Sequence, residues 1–315
     1  MLAHFTLKLL SKLSGKNKLS ILIYHGVLAS FDPLRPNEPT ISSFSWQMEV
    51  LNKYFVPLSL PEALRLLQAG TLPTNAVCVT FDDGYKNNLE VALPILKQFA
   101  IPATVFVATA FSQGQNMWND RVIQLFADKS ITTLDLSIAD LGVCELGDWP
   151  ERKQLANTLL KKLKYLPIEE RLEKIARLYR ANGGVEAPSL MMTPDEVKQL
   201  SDAGVEIGAH TVNHPILKIL PVAQQKQEIQ QSKSLLEQWT GKPVTSFAYP
   251  NGQVGVDLDE QTVEIVKEQG FDCAVVTDWG TSTHATSPLM LKRFTPWDNT
   301  PNKFHMRLVK NQLMA

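Results

Sequence analysis

Two adjacent carboxylates follow an apolar run in the stretch VCVTFDDGYKN, residues 77–87. Asp82 and Asp83 would repel each other at the end of a buried strand unless a cation or a second function accounts for the pair. A glycine after two aspartates is also typical of an ordinary turn. The motif alone therefore leaves a turn and a chemical site open.

A second motif, HTVNH at 210–214, places His210 and His214 four positions apart. Imidazole is a common ligand of zinc-like ions, so both side chains can bind one ion from a turn or from one helix face. Each histidine can instead satisfy a separate backbone group. Because Pro215 follows directly, we predict a loop or a short helical turn rather than a long helix.

Together the motifs predict a catalytic metal centre. One carboxylate and two imidazoles leave a coordination position for water or substrate, as in catalytic zinc sites. Such an ion acidifies water and polarises a carbonyl, and a neighbouring carboxylate can accept the proton. We predict that one aspartate binds the ion and the other is the base. Because neighbouring strand side chains point to opposite faces, both reach one centre only if the backbone bends, and Gly84 permits this bend.

Short apolar runs separated by helical patterns predict the fold. The runs lie at 21–24, 76–81, 103–109, 205–209, 245–249, 273–277 and 289–294. They are continuous rather than alternating, which is typical of strands covered on both faces. We therefore predict an α/β fold, a distorted (β/α)7-type barrel. The carboxyl ends of parallel barrel strands share one face, where we expect the polar residues that follow the strands, including His25, to converge.

Two segments depart from this alternation. Residues 112–195 are charged and helical in pattern without an evident buried strand, which predicts a helical insertion within a catalytic domain at 20–315. Residues 1–19 place apolar residues near helical spacing with lysines between them, which predicts an amphipathic helix. This helix would pack on the domain or contact a membrane surface or a partner, and both interpretations remain open.

Composition excludes several classes of protein. The chain has 315 residues, a formal net charge of −1 and no long basic run, so no nucleic-acid partner is predicted. The three cysteines form no CxxC pair, which fits a reducing compartment. No apolar stretch is long enough to span a membrane, and the first residues lack the features of a signal peptide. We predict a cytoplasmic protein, with a place at the inner membrane face as the alternative.

Three motifs resemble, in this order, those of the polysaccharide deacetylase family, also called carbohydrate esterase family 4 or the NodB-homology domain. They are TFDDGY at 80–85, HTVNH at 210–214 and FAYPNG at 247–252, and LIYHGV at 22–27 looks like the start of many members of its larger bacterial branch. The resemblance implies a distorted barrel and a divalent metal, usually zinc and sometimes cobalt or nickel. It also implies removal of an N-acetyl, less often an O-acetyl, group from a sugar polymer.

The resemblance also implies roles for individual residues. Asp82 corresponds to the general base of the family, and the metal ligands correspond to Asp83, His210 and His214. Thr80 holds the geometry of its motif, and the amide of Asn251 helps stabilise the tetrahedral oxyanion. Tyr249 lines the pocket. Trp118 is either a sugar-stacking aromatic residue or a core anchor of the predicted insertion.

Two positions depart from the family pattern. The family often has an arginine three residues before the proline of its third motif, which orients the base, and Phe247 stands at that position here. The family's last motif often supplies a histidine that protonates the leaving amine, whereas LMLKRF at 289–294 has none. Arg293 stays charged and is a poor acid, but it can pair with Asp82.

A replacement acid must therefore come from elsewhere in the chain. His25 is the candidate, with hydrogen bonding at the barrel rim as its alternative role. His284, in the polar loop GTSTHATS, is predicted to be solvated.

The leading prediction is a metal-dependent hydrolase that removes acetyl groups from amino sugars of a polysaccharide or its lipid-linked precursor. One alternative is hydrolysis of a cyclic amide or a formamido sugar, since relatives of this barrel use related metal sites. A carbohydrate-binding protein that has lost its acid is another. The intact base and ligand positions argue against this last alternative.

Overall fold

The computed structural model describes residues 16–313. The helix predicted for 1–19 falls outside these residues except at 16–19, which form a turn and an isolated bridge. The described chain divides into two compact units. The larger unit takes in the described residues up to Ser30, Asn37–Gln113 and those from Met191 onward, and the smaller unit takes in Phe31–Pro36 and Gly114–Leu190.

Nine strands are present in the described residues. They are β1 (Ser20–Tyr24), β2 (Val56–Pro57), β3 (Ala76–Phe81), β4 (Ala103–Val107), β5 (Thr133–Asp135), β6 (Val143–Glu145), β7 (Glu206–Ala209), β8 (Ser246–Ala248) and β9 (Cys273–Val275). The larger unit contains a parallel sheet of order β1-β3-β4-β7-β8-β9, with β2 beside β3. Curled and surrounded by helices, this sheet confirms the predicted distorted (β/α)7-type barrel.

Ten α-helices accompany the strands in the described residues. They are α1 (Ile41–Tyr54), α2 (Leu60–Gln68), α3 (Leu93–Gln98), α4 (Trp118–Gln124), α5 (Trp149–Leu163), α6 (Ile168–Ala181), α7 (Pro194–Asp202), α8 (Val222–Thr240), α9 (Glu260–Glu268) and α10 (Pro301–Leu313). Several begin at side-chain caps, as at Thr40, whose hydroxyl accepts a hydrogen bond from the amide of Ser43. Such a cap fixes the residue at which the helix begins.

Both faces of the sheet are buried, which explains the continuous apolar runs. In β3, Val77, Val79 and Phe81 lie in the main core with residues from the surrounding helices. Ala76 and Cys78 belong to a second cluster with residues of α2 and of the other strands, which is the interior of the barrel. Full burial of a valine or phenylalanine side chain contributes about 1.5–3 kcal/mol to the stability of the fold. Apolar burial therefore stabilises the strands from both faces of the sheet.

The strand predicted at 289–294 is not a regular strand. Pro288–Met290 is a 3₁₀ turn, and the segment makes isolated bridges only, from Leu291 to β9 and from Phe294 to β1. Its amides donate to carbonyls of both edge strands, Leu291 to Ala274 and Phe294 to Ile21. This irregular segment therefore links the two edges of the curled sheet and carries Arg293 between them.

The smaller unit has its own apolar core, to which α4, α5 and α6 contribute. It also contains an antiparallel hairpin, β5–β6, for which the sequence has no strand pattern. Its strands have three residues each and lie largely at the surface, so they leave no apolar run in the sequence. Arg152 is buried here and donates to the carbonyls of Phe126, Asp128 and Ile131.

Candidate active site

The candidate site lies in the larger unit, at the carboxyl ends of its parallel strands. The predicted site residues that follow a strand directly or within a few positions are His25 (β1), Asp82 and Asp83 (β3), His210 (β7) and Asn251 (β8). Tyr24 pairs with Phe81 in the parallel register of β1 and β3. The residues that follow them, His25 and Asp82, therefore leave the sheet at the same position along the strand direction. Parallel pairing thus gathers side chains that are distant in sequence.

The backbone at Asp83 explains how two neighbouring aspartates serve one site. Asp82 continues the inward series of β3, which includes Ala76 and Cys78. Asp83 and Gly84 then have φ of 74° and 88°. A left-handed conformation costs a non-glycine residue about 1–3 kcal/mol, and it turns the chain so that Asp83 reaches the histidines instead of pointing outward.

Three side chains form a candidate metal centre. The donor atoms of Asp83, His210 and His214 all lie within 4.8 Å of one another. Oδ1 of Asp83 is 3.6 Å from Nε2 of His210 and 3.5 Å from Nε2 of His214. Two donors of a tetrahedral zinc-type ion are separated by about 3.4 Å, given metal–ligand distances of about 2.0–2.2 Å. The three residues therefore fit a divalent ion in donor type and in spacing.

His210 is held in the form that binds metal. Its Nδ1 lies 2.7 Å from the carbonyl oxygen of Ala248, which can only accept, so Nδ1 carries the proton and Nε2 presents its lone pair. Burial lowers the pKa of His210 below its ordinary value, although the charge of Asp82 opposes this effect. The imidazole is therefore neutral near pH 7, as a ligand must be.

Asp82 forms a buried ion pair with Arg293. Nη1 and Nη2 of Arg293 donate to Oδ1 and Oδ2 of Asp82 at 2.7 and 2.8 Å, and neither side chain is more than 4% exposed. The guanidinium also donates to Oγ1 of Thr80 at 3.3 Å and to the carbonyl of Val276 at 3.1 Å. Burial alone would raise the pKa of Asp82, but Arg293 and His210 lower it to about 2, so the carboxylate stays charged.

Arg293 therefore occupies the place beside Asp82 that the family usually fills from its third motif. Phe247, at that motif position, is fully buried and packs against Tyr249 and Phe271. The arginine comes instead from the irregular segment between β9 and β1. The sequence alone offered this pairing only as one option, because the two residues are 211 positions apart.

His25 lies near the acidic pair and is partly exposed. Burial lowers the pKa of His25, but the charges of Asp83, Glu38 and Asp82 together raise it above its ordinary value. The neighbouring carboxylates thus favour the protonated imidazole, which is the form that a proton donor needs. His284 is exposed, in agreement with the prediction that it is solvated.

Tyr249 and Trp118 both pack in apolar cores. Tyr249 is 1% exposed and its hydroxyl donates to the carbonyl of Leu289, so it is a core residue and not a pocket wall. Trp118 packs against the core of the smaller unit, with the guanidinium of Arg171 4.6 Å from its ring centre. These contacts favour the core-anchor interpretation of Trp118.

Asn251 lies in a tight turn after β8. Its φ is 59° and that of Gly252 is 73°, and the amide of Gly252 donates to the carbonyl of Pro250 at 2.7 Å. Oγ1 of Thr277 donates to the carbonyl of Asn251 at 2.7 Å. The turn is thus fixed from both sides, and a Cβ on Gly252 would lie 2.9 Å from the carbonyl oxygen of Tyr249.

Two acidic residues near the site belong to no recognisable sequence motif. Glu38 contributes to the raised pKa of His25 and accepts a long hydrogen bond from the amide of Gly26. Glu228 accepts hydrogen bonds from the backbone of the HTVNH loop. Both belong to segments of ordinary surface composition, so no local sequence signal distinguishes them from solvated carboxylates.

Comparison with known proteins identifies the family. The family model described as polysaccharide deacetylase matches residues 69–274. The Bacillus subtilis protein YxkH, assigned by name to the polysaccharide deacetylases, is 20% identical over 276 residues, which are 88% of this chain and 70% of that protein. Since the family model covers more than half of the chain, the protein belongs to the polysaccharide deacetylase family and is a hydrolase that acts on carbon–nitrogen bonds.

Solved structures share the fold. The Streptococcus pyogenes deacetylase PplD, in complex with acetate, has a TM-score of 0.62 at 20% identity, over 93% of this chain and 98% of that one. IcaB from Ammonifex degensii has a TM-score of 0.61 at 20% identity, over 94% of this chain and 97% of that one. Within the described residues, no helix has the length and hydropathy required to cross a membrane.

Proposed function

We propose that this protein removes N-acetyl groups from amino sugars of a polysaccharide or its lipid-linked precursor, with a divalent ion of the zinc type held by Asp83, His210 and His214. The proposal is carried by one observation, the Asp-His-His donor set beside a carboxylate fixed by Arg293. Family membership supports the reaction class. The nitrogen-rich donor set favours zinc, cobalt or nickel over magnesium or calcium.

The surrounding residues then have distinct roles in amide hydrolysis. A bound divalent ion supplies Lewis acidity, which acidifies water and polarises a carbonyl. Asp82 accepts the proton of the attacking water, and the amide of Asn251 donates a hydrogen bond to the developing oxyanion. His25 protonates the leaving amine. In this assignment Arg293 orients Asp82 and stays charged throughout.

The low pKa of Asp82 affects how it can act as base. A carboxylate with a pKa of about 2 is ionised at neutral pH but holds a proton weakly. His25 supplies the proton with which the amine leaves, and the proton held by Asp82 is then expected to pass to the free amine, which is a stronger base. Two hydrogen bonds from Arg293 fix the direction of the carboxylate. This fixed orientation favours proton transfer and so offsets the weak basicity of Asp82.

Acetate release measured together with metal content tests the proposed function. We expect acetate from N-acetylated chito-oligosaccharides or bacterial polysaccharide, loss of that activity after chelation, and its return with zinc or cobalt. Cyclic ureides and formamido sugars, as competing amides, should react much more slowly. Preferential turnover of either would replace the proposal with the corresponding hydrolase, and metal binding without any turnover would indicate a carbohydrate-binding protein.

Replacement of His25 tests the assigned acid. Because the charged imidazole is the donor, activity of the wild type should fall as pH rises through the pKa of His25 and the imidazole loses its proton. His25→Ala should lose this alkaline limb and about 10²-fold in kcat. His284→Ala, which removes an exposed histidine, is the matched control and should leave the pH–rate profile unchanged. A wild-type profile in His25→Ala would remove His25 from this role.

A further inference from the structure

The loop between the two histidine ligands is bound by one carboxylate from a neighbouring helix. Oε2 of Glu228, on α8, accepts hydrogen bonds from the backbone amides of Val212 and Asn213 at 2.9 and 2.8 Å. Oε1 accepts a third, from Nδ2 of Asn213, at 2.7 Å. A single side chain thus holds both residues at the centre of the HTVNH loop.

The loop needs such support because its backbone is unfavourable at both ends. Thr211 and His214 have φ of 65° and 52°, in the left-handed region that side chains other than glycine rarely adopt. The hydroxyl of Thr211 accepts from the amide of His214 at 3.1 Å, which ties the ligand to the same loop. Hydrogen bonds to a charged carboxylate are stronger than those to neutral acceptors, so Glu228 is suited to hold this conformation.

The two histidine ligands depend on Glu228 to different degrees. His210 directly follows β7, and its ring is fixed by the carbonyl of Ala248. His214 lies beyond the loop, so the position of its ring follows the path of the backbone between 211 and 213. If that path relaxes, Nε2 of His214 moves from its place 3.5 Å from Oδ1 of Asp83.

We infer that Glu228 is a positioning residue of the metal centre, which holds His214 in binding geometry through the loop and without touching the ion. This inference rests on the proposed function, since it assigns Glu228 to the metal centre of that reaction. It predicts that Glu228 sets metal affinity. A purely structural carboxylate would affect only the stability of the fold.

The test is a titration of the metal-free full-length protein with Co²⁺, followed by its visible absorption. Glu228→Ala should weaken apparent Co²⁺ affinity about 10- to 100-fold, the usual effect of losing a group that orients a ligand. Glu228→Gln should give a smaller loss, because a neutral oxygen can still accept from the two amides but more weakly. The matched control is Glu237→Ala. Glu237 lies on the same helix and accepts from the amide of Val244 at 3.1 Å, away from the HTVNH loop, so wild-type affinity is expected.

The outcomes separate this inference from the proposed function. Wild-type Co²⁺ affinity in both Glu228 variants would overturn the positioning role while leaving the metal centre intact. If Glu228→Ala does not fold, as judged by circular dichroism, an unchanged affinity in Glu228→Gln is sufficient to overturn it. If the unsubstituted protein binds no Co²⁺, the metal centre of the proposed function falls, and the inference falls with it.

Discussion

His210→Ala is expected to abolish both metal binding and acetate release. The substitution removes one of three protein donors and leaves Asp83 and His214, which are too few to hold a zinc-type ion firmly against exchange with solvent. We expect less than a tenth of the wild-type metal content after dialysis, and a fall in kcat of about 10³-fold or more, since the Lewis acid is lost with the ligand. Elemental analysis and acetate release on the same samples measure both effects.

His25→Ala provides the comparison for this result. It should keep the ion, because His25 is not part of the donor set, and lose rate only. A His210→Ala protein that retains stoichiometric metal and wild-type turnover would show that the ion binds elsewhere. Circular dichroism should confirm that His210→Ala is folded, because the imidazole is replaced by a smaller side chain at a strand end.

Asp82→Asn is expected to remove the catalytic base while the protein still binds the metal ion. The amide keeps the shape of the side chain but cannot accept a proton, so kcat should fall about 10³-fold while metal content stays at the wild-type level. The folded state should also lose about 3–5 kcal/mol, since Arg293 is fully buried and its charge would have no counterion. Metal analysis, steady-state kinetics and urea unfolding measure the three effects.

The pH dependence of stability gives an independent check on the ion pair. The pKa of Asp82 is lowered from 3.8 to about 2 in the folded protein, so its stabilising contribution is fully present above about pH 4 and is lost as pH falls toward 2. Asp82→Asn should lack this part of the acid dependence. Arg293→Met in the Asp82→Asn background should recover part of the stability, because it removes the unpaired buried charge. Full activity in Asp82→Asn would refute the base assignment.

Much of the barrel followed from the order of apolar runs in the sequence. Continuous runs such as 76–81 and 103–109 indicated strands buried on both faces, and the structure contains β3 and β4 there. The run at 289–294 was misleading, because it has the composition of a strand but bridges two edges without a regular ladder. An apolar run indicates that a segment is buried. Whether the segment forms a regular strand depends also on hydrogen bonding to its neighbours, which the run does not specify.

The chemistry of the candidate site was also largely readable from local motifs. Asp82-Asp83-Gly84 and the pair His210 and His214 carry their residue types and spacing within a few positions, and parallel topology implies that such strand ends share one face. Sequence therefore determined which residues can hold a metal ion and where in a barrel they belong.

Tertiary structure alone decided which distant groups act on those residues. Arg293 lies against Asp82, Glu228 binds the loop between the histidines, and Tyr249 is buried in the core. These contacts depend on how segments far apart along the chain meet, and a charge or a hydroxyl has the same sequence signature whether its partner is protein or water. The motifs thus determined which donor atoms are available. Packing determined the orientation of the side chains and the pKa of Asp82.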